Sequence, residues 1–185
     1  MEAHVEHAYV SEIVNQCEGA IAAVERMNTA LASKERAVVF FQHAQAFILH
    51  AGAVSRVFWP PRIRNAARWK TARSRGEHFR HQFGISSPHI LEDRSLRNHI
   101  EHFDERLDEW ASSLTSRGIL VDLNLMPLAA IGGISPKNIF RQYDPQAKIF
   151  YFQGKAFDIQ PMAAAISEVL KLAVNRLALI RSPSR

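Results

Sequence analysis

Cysteine is almost absent from this chain of 185 residues, which contains only Cys17. One thiol cannot form an intrachain disulfide, so the class of small, disulfide-stabilised secreted domains is excluded. The first residues contain glutamates and no basic block followed by an apolar block, so we expect no secretory signal there. Both features predict a cytoplasmic protein.

Long uninterrupted apolar runs are also missing. The most apolar segment, residues 37–54, is interrupted by Gln42, His43, Gln45 and His50. A membrane span requires about 20 predominantly apolar residues, so we interpret this segment as a buried helix and expect no membrane partner. The length of the chain and its 47% apolar content fit one globular domain over residues 1–185.

Acidic residues are scarce between positions 56 and 81, where Glu77 alone stands against eight basic residues. The segment is therefore net +7, and because the whole chain is net +5 the remainder is net −2. Aromatic residues lie among these charges, as a surface for a polyanion with stackable bases requires. A solvated helix whose aromatics face the core is the alternative. The predicted nucleic-acid-binding residues are Arg62, Arg64, Arg68, Lys70, Arg73, Arg75 and Arg80.

The spacing of apolar residues predicts a mostly helical fold. We expect helices over residues 3–31, from an N-cap at Ser33 to Pro60, over 63–82, and from Ser87-Pro88 to Gly118. Residues 139–159 are typical of a β-hairpin or meander, with an Asp-Pro turn and a Gly154-Lys155 turn. The predicted fold class is all-α, a bundle of about five helices. Its parts are a helical core at 1–118, the hairpin at 139–159 and a C-terminal helix at 161–181.

The fourth predicted helix contains the stretch LRNHIEHFDERLDEW, residues 96–110. Its apolar stripe consists of Leu96, Ile100, Phe103, Leu107, Trp110 and Leu114. At about 100° per residue, four polar side chains fall on the opposite face, namely Arg97, Asn98, Glu101 and His102. We therefore expect these four residues to be exposed to solvent, substrate or a second subunit.

Two other interpretations of this polar face compete with a catalytic one. It could be a solvated surface on which Arg97 and Glu101 form an i,i+4 pair. It could also bind a metal, because histidines are spaced three apart at His4/His7, His78/His81 and His99/His102. None of these pairs has a recognised spacing to a third ligand, so we predict no metal site.

The segment RNHIEH, with Arg97, Asn98 and His102, resembles the motif of the HEPN superfamily, helical nucleotide-binding domains of prokaryotic defence and toxin systems. Arg94 and His99 have the same spacing but lack the Asn that follows Arg97. The wider pattern is similar to small bacterial HEPN-like proteins close to abortive-infection components. It comprises FWP at 58–60, RG at 75–76, the stretch at 96–110 and FYFQGKAFDI at 150–159.

The resemblance implies an HEPN-type bundle and a metal-independent endoribonuclease whose composite site forms across a homodimer. In that site Arg97 would stabilise charge on the scissile phosphate, and His102 would transfer a proton. Asn98 would orient one of them, and Glu101 would set the rotamer of Arg97. No cofactor is implied. The implied partners are RNA, a second copy of the chain, and a cognate antitoxin or regulatory protein.

Two alternatives remain open at this point. The chain could be a non-catalytic module that binds RNA or a nucleotide, or that serves dimerisation, using the same basic segment. It could also be a structural helical dimer with no ligand.

Overall fold

The computed structural model describes residues 1–113, 121–127, 130, 134–135 and 138–181. These ranges are mostly helical, and a small antiparallel sheet precedes the last helix, as predicted. The helices are α1 (Ala3–Ala32), α2 (Ala37–Phe58), α3 (Ala66–Phe83), α4 (Ser95–Glu101), α5 (Phe103–Ser113) and α6 (Gln160–Arg181). A short 3-10 helix spans Ile90–Glu92, and the strands are β1 (Arg141–Asp144), β2 (Ile149–Phe152) and β3 (Lys155–Asp158).

The core forms where α2 packs along α1, while α1 also packs on α6. Apolar residues three or four positions apart give each helix one buried stripe. On α1 this stripe includes Val10, Ile13, Cys17, Ala20 and Met27, and on α2 it includes Phe40, Ala44, Phe47, Ala51 and Phe58. Burial raises the pKa of the Cys17 thiol to about 12, so this cysteine is an inert core residue.

Helix α2 is the segment that the sequence predicts to be a buried helix. By length and composition it is the one helix among the described residues that could cross a membrane, a test that core helices of soluble proteins also pass. Ten of its 22 residues are buried against the rest of the chain, which agrees with the predicted core helix.

The C-terminal end of α2 is held by three arginines. The last carbonyls of a helix have no intrahelical partner and carry partial negative charge, so they favour guanidinium groups. Arg75 Nη2 donates to the carbonyl of Arg56 at 3.1 Å, Arg80 Nη1 donates to that of Phe58, and Arg94 Nη2 donates to that of Trp59. These bonds attach α3 and the segment before α4 to the end of the central helix.

Three helices begin later than predicted, and one of them is α3, which starts at Ala66 and not at residue 63, after an N-cap at Asn65. Ser33 is the C-cap of α1, and α2 begins after Arg36, so the predicted N-cap at Ser33 is wrong. The fourth helix begins at Ser95, not at Ser87-Pro88, because local side-chain bonds build turns before it. The His89 ring accepts from Leu91 N at 3.2 Å, and Asp93 Oδ1 accepts from Ser95 N at 2.8 Å.

The predicted meander before α6 is confirmed as a sheet in the order β1-β2-β3 with antiparallel pairing. Asp144 Oδ1 accepts from the backbone N–H groups of Gln146 and Ala147, which fixes the predicted Asp-Pro turn. The second turn consists of Gln153 and Gly154, whose φ angles of 48° and 77° suit a two-residue hairpin. This turn lies one residue earlier than predicted. The predicted helix end at Gly118 and the stripe residue Leu114 lie outside the described residues.

An ion pair between α1 and α6 predicts a pH-dependent stability. Arg176 Nε donates to Glu6 Oε1 at 2.6 Å, and this bond lowers the pKa of the buried Glu6 carboxyl against the opposing effect of burial. A folded pKa below the unfolded value gives stability that is present above the unfolded pKa and lost as the pH falls through the folded pKa. We expect Glu6→Gln to lower the free energy of unfolding by about 1–2 kcal/mol at pH 7, and by much less below about pH 4.

Urea unfolding at the two pH values measures this difference. Glu25→Gln, at an exposed position of the same helix, is the matched control and should have little effect. A loss for Glu6→Gln that is equal at both pH values would contradict the prediction.

Candidate functional site

The stretch predicted to form one helix is divided by a break at His102. That residue has φ −107° and ψ 42°, outside the helical region, between α4 and α5. Its backbone N–H still donates to the Asn98 carbonyl at 3.1 Å, and Arg106 N donates to the His102 carbonyl at 3.0 Å. The break is therefore one residue long.

Arg97 is buried, so the prediction that it is exposed opposite the core is wrong. Only 8% of the residue is accessible to solvent. Its aliphatic stem lies over Gly52 of α2, where an added Cβ would be 2.5 Å from Arg97 Cδ. A wheel with a single apolar stripe assumes one buried face, whereas α4 is covered by α2 on one side and by the sheet near His99 on another.

Glu101 gathers two guanidinium groups around the buried arginine. Its Oε2 lies 3.4 Å from Arg97 Nε, and its Oε1 pairs with Arg56 Nη2. Arg97 Nη2 also donates to Asn98 Oδ1 at 3.1 Å. The structure thus brings together three of the four predicted catalytic residues and adds Arg56. We call these four residues, Arg56, Arg97, Asn98 and Glu101, the arginine cluster.

The guanidinium of Arg97 is not saturated with hydrogen bonds. Within the described residues, its Nε and Nη1 are buried without an acceptor, since the 3.4 Å approach of Glu101 does not have hydrogen-bond geometry. Burial lowers the pKa of Arg97, as do Arg56 and Arg94, while Glu101 raises it. Arginine nevertheless stays charged at neutral pH. A positive charge with unused donors can stabilise an anion.

His102 lies next to the arginine cluster along the chain and on the outside of the molecule. Its side chain is 54% exposed, and Nδ1 lies 3.4 Å from Glu105 Oε1. In the part of the chain that the structure describes, no hydrogen bond or ion pair connects His102 to Arg97. The imidazole is therefore accessible to a substrate or to a residue of another chain.

His99, the other histidine of this stretch, belongs to the core. It stacks on Phe152 with the ring centroids 5.0 Å apart, and Phe157 meets its edge. Burial first, then Lys155 and Arg106, lowers the pKa of His99, which favours the neutral form of the ring. His99 and His102 therefore lie in different environments. Across the described ranges, no group of three or more His, Cys, Asp or Glu residues could hold a metal ion.

The predicted nucleic-acid-binding residues divide into two sets. Arg75 and Arg80 are half-buried, bind α2 carbonyls and lie over the rings of Tyr9 and Trp59 at 5.2 and 5.8 Å. They have a structural role that composition did not reveal. The other five side chains are on solvent-exposed residues, namely Arg62, Arg64, Arg68, Lys70 and Arg73, and only Arg73 has an ion pair, with Glu77 at 2.8 Å.

Comparison with known proteins adds no assignment: no protein-family model, curated protein or solved structure matches this chain. The chemistry of the site therefore has to be argued from its geometry. That geometry combines a buried cation with unused donors, an amide oxygen that binds it, and an exposed titratable imidazole close by in the chain.

The different environments of Arg97 and His102 predict different effects on stability. Arg97→Ala removes a buried side chain that packs on Gly52, so we expect the free energy of unfolding to fall by about 1–3 kcal/mol. His102→Ala changes an exposed residue and should stay within about 0.5 kcal/mol of the wild type. Urea unfolding of the two variants measures both values. Equal effects of the two substitutions would contradict this description of the site.

Proposed function

We propose that this protein is a metal-independent endoribonuclease of the HEPN type, acting in the cytoplasm within a bacterial defence or toxin system. The observation that carries the proposal is the buried, incompletely bonded Arg97, with the exposed His102 five residues further along the chain at the helix break. A nuclease that uses no metal requires a fixed positive charge and a proton-transfer group, and these two residues have those properties.

The proposed reaction cleaves RNA through its own 2′-hydroxyl. The 2′-oxygen attacks the adjacent phosphorus, the bond from phosphorus to the 5′-oxygen breaks, and the products are a 2′,3′-cyclic phosphate and a 5′-hydroxyl. One group has to accept the 2′-hydroxyl proton, and another has to give a proton to the departing 5′-oxygen. The exposed imidazole of His102 can perform one of these steps.

The arginine cluster stabilises the phosphate in this proposal. Because Arg97 is buried in a region of low dielectric constant, its charge acts on a nearby phosphate more strongly than it would in water. Arg56 is 45% exposed and shares Glu101 with Arg97, so it can contact a phosphate oxygen directly. Asn98 and Glu101 hold the guanidinium of Arg97 in place.

The need for a second copy of the chain follows from the two proton transfers. Each chain supplies one His102, so two copies with facing motifs would supply both the acceptor and the donor. Helix α5, next to His102, supports such an interface at Leu107, since the other residues of its apolar stripe, Phe103 and Trp110, pack on Phe140 of the same chain. Leu107 is 37% exposed.

The proposed activity predicts a specific dependence on His102. His102→Ala should reduce cleavage of a single-stranded RNA by about 100-fold or more, because general acid–base catalysis contributes about 10²–10⁴-fold. The wild type should be fully active in excess EDTA. Gel analysis of labelled RNA measures both results, and His81→Ala, at another exposed histidine, is the control. The assignment fails if His102→Ala cuts RNA as fast as the wild type or if EDTA stops the reaction.

The proposed dimer predicts a second measurement. Light scattering after size-exclusion chromatography, at a concentration on the order of tens of micromolar, should give twice the mass of one chain. Leu107→Glu should shift the mass to that of a monomer and abolish cleavage, since it places a charge in the apolar stripe of α5. Val174→Glu, at an exposed valine of α6, is the matched control. A wild-type monomer that cleaves RNA would contradict the composite site.

A second candidate function is RNA binding without cleavage. The observation that favours it is the exposed basic set at Arg62, Arg64, Arg68, Lys70 and Arg73, which does not depend on the arginine cluster. RNA binding by a wild type that never cleaves would favour this function over the endoribonuclease.

A further inference from the structure

A groove between the start of the chain and α3 has no part in the site described so far. Its volume is about 520 Å³. It is lined on one side by Met1, Val5 and Tyr9 and on the other by side chains of α3 that include Lys70, Arg75 and His78. We call it the α1–α3 groove.

The α1–α3 groove combines an apolar wall with positive charge. Lys70 and Arg75 are cations, and no carboxylate is among its lining residues. Glu6, which interacts electrostatically with His78, is paired with Arg176. A cationic groove with one apolar side suits an anion that carries an apolar ring.

Two buried side-chain nitrogens beside the groove lack a partner. Arg75 Nε and His78 Nε2 are buried and have no hydrogen bond within the described ranges. The other two nitrogens of Arg75 are paired, since Nη1 donates to the Tyr9 hydroxyl and Nη2 donates to the Arg56 carbonyl. Leaving a buried polar group unpaired is unfavourable, so a ligand with an acceptor for Arg75 Nε would gain a hydrogen bond that the free protein lacks.

Size and chemistry together point to a nucleotide unit of RNA. Pockets for ligands of this size generally measure roughly 300–1,000 Å³, which includes the observed volume. A phosphate can pair with Lys70 and Arg75, and a base can pack on the apolar side of the groove at Met1 and Val5. Contacts of this kind, to the backbone and to the faces of bases, tolerate any sequence.

The groove is connected to the arginine cluster through a chain of contacts. Arg75 binds the backbone of Arg56, the side chain of Arg56 pairs with Glu101, and Glu101 pairs with Arg97. A strand whose phosphates follow these positive charges is led from the groove toward the proposed cleavage site. The exposed Arg68 lies two turns before Arg75 on the same side of α3 and extends this positive surface.

We infer that the α1–α3 groove is a binding site for single-stranded RNA, which holds a nucleotide of the substrate away from the cleaved bond. This inference rests on the proposed function for the identity of the ligand as RNA. It adds residues of α1, which the sequence analysis did not associate with RNA, to the binding surface.

Binding measurements with matched variants test the inference. The probe is a fluorescent single-stranded RNA of about ten nucleotides, a length that one binding surface of this kind can cover. It is titrated with the whole chain carrying His102→Ala, so that the RNA stays intact. Anisotropy gives the dissociation constant. Val5→Glu and Lys70→Ala, which change the apolar and the cationic side of the groove, should each weaken binding by about tenfold, because each removes contacts worth about 1.4 kcal/mol.

The controls place the same changes outside the groove. Val174→Glu and Lys171→Ala lie at exposed positions of α6 and should leave the dissociation constant unchanged. Ser74→Trp, at an exposed position of the groove wall, should weaken binding as Val5→Glu does, and it replaces that variant if Val5→Glu fails to fold. Circular dichroism checks the folding of each variant.

The outcomes separate this inference from the proposed function. If Val5→Glu and Ser74→Trp both bind RNA as tightly as the wild type, the inference that the groove binds RNA is overturned, even if the wild type cleaves RNA. If both variants bind RNA more weakly and the wild type never cleaves RNA, the groove is supported as a binding site and the proposed endoribonuclease activity is rejected. Binding of 5′-AMP as tight as that of the oligonucleotide would also overturn the inference, because the site would then be one for a small molecule.

Discussion

The hydrogen bonds from three arginines to the carbonyl end of α2 determine the arrangement of the elements around the site. Pro60 and Pro61 prevent the helix from continuing, and its last carbonyls require donors. Arg75 and Arg80 bring α3 to this end, and Arg94 brings the start of α4. Because α4 is short, its position depends on this attachment.

The attachment of α4 explains why an arginine can be buried in this fold. Once Arg94 is bound to α2, the next turn of α4 lies over Gly52, and the absence of a Cβ there leaves room for the stem of Arg97. The Glu101 carboxylate then pairs with Arg97 and also with Arg56. A buried guanidinium is costly unless it is paired. A bound phosphate would give this buried charge a further anionic partner, which is why we connect Arg97 with catalysis.

The basic segment shows how one composition serves two purposes. Arg75 and Arg80 have no sequence feature that distinguishes them from Arg68 or Arg73, yet the first two bind backbone carbonyls and the others face solvent. Arg68 and Arg75, like Arg73 and Arg80, are seven residues apart and lie on nearly the same side of α3. The difference therefore comes from position along the helix, whose buried residues, Gly76, Phe79 and Phe83, all lie in its second half. The exposure of each side chain therefore decides which arginines can contact RNA. The groove beside Tyr9 is formed by residues of both α1 and α3, so neither segment alone indicates it.

The sequence by itself determined the elements whose causes are local. Apolar periods of three and four residues identified α1, α2, α3 and α6, the Asp-Pro and glycine turns identified the meander, and the prolines marked the end of α2. Tertiary structure alone decided the site. The pair between Arg56 and Glu101 joins residues 45 positions apart, and the burial of Arg97 depends on a glycine of another helix. The two covered sides of α4 also follow from its packing against α2 and the sheet. Such contacts are set by three-dimensional neighbours, which a helical wheel of one segment does not contain.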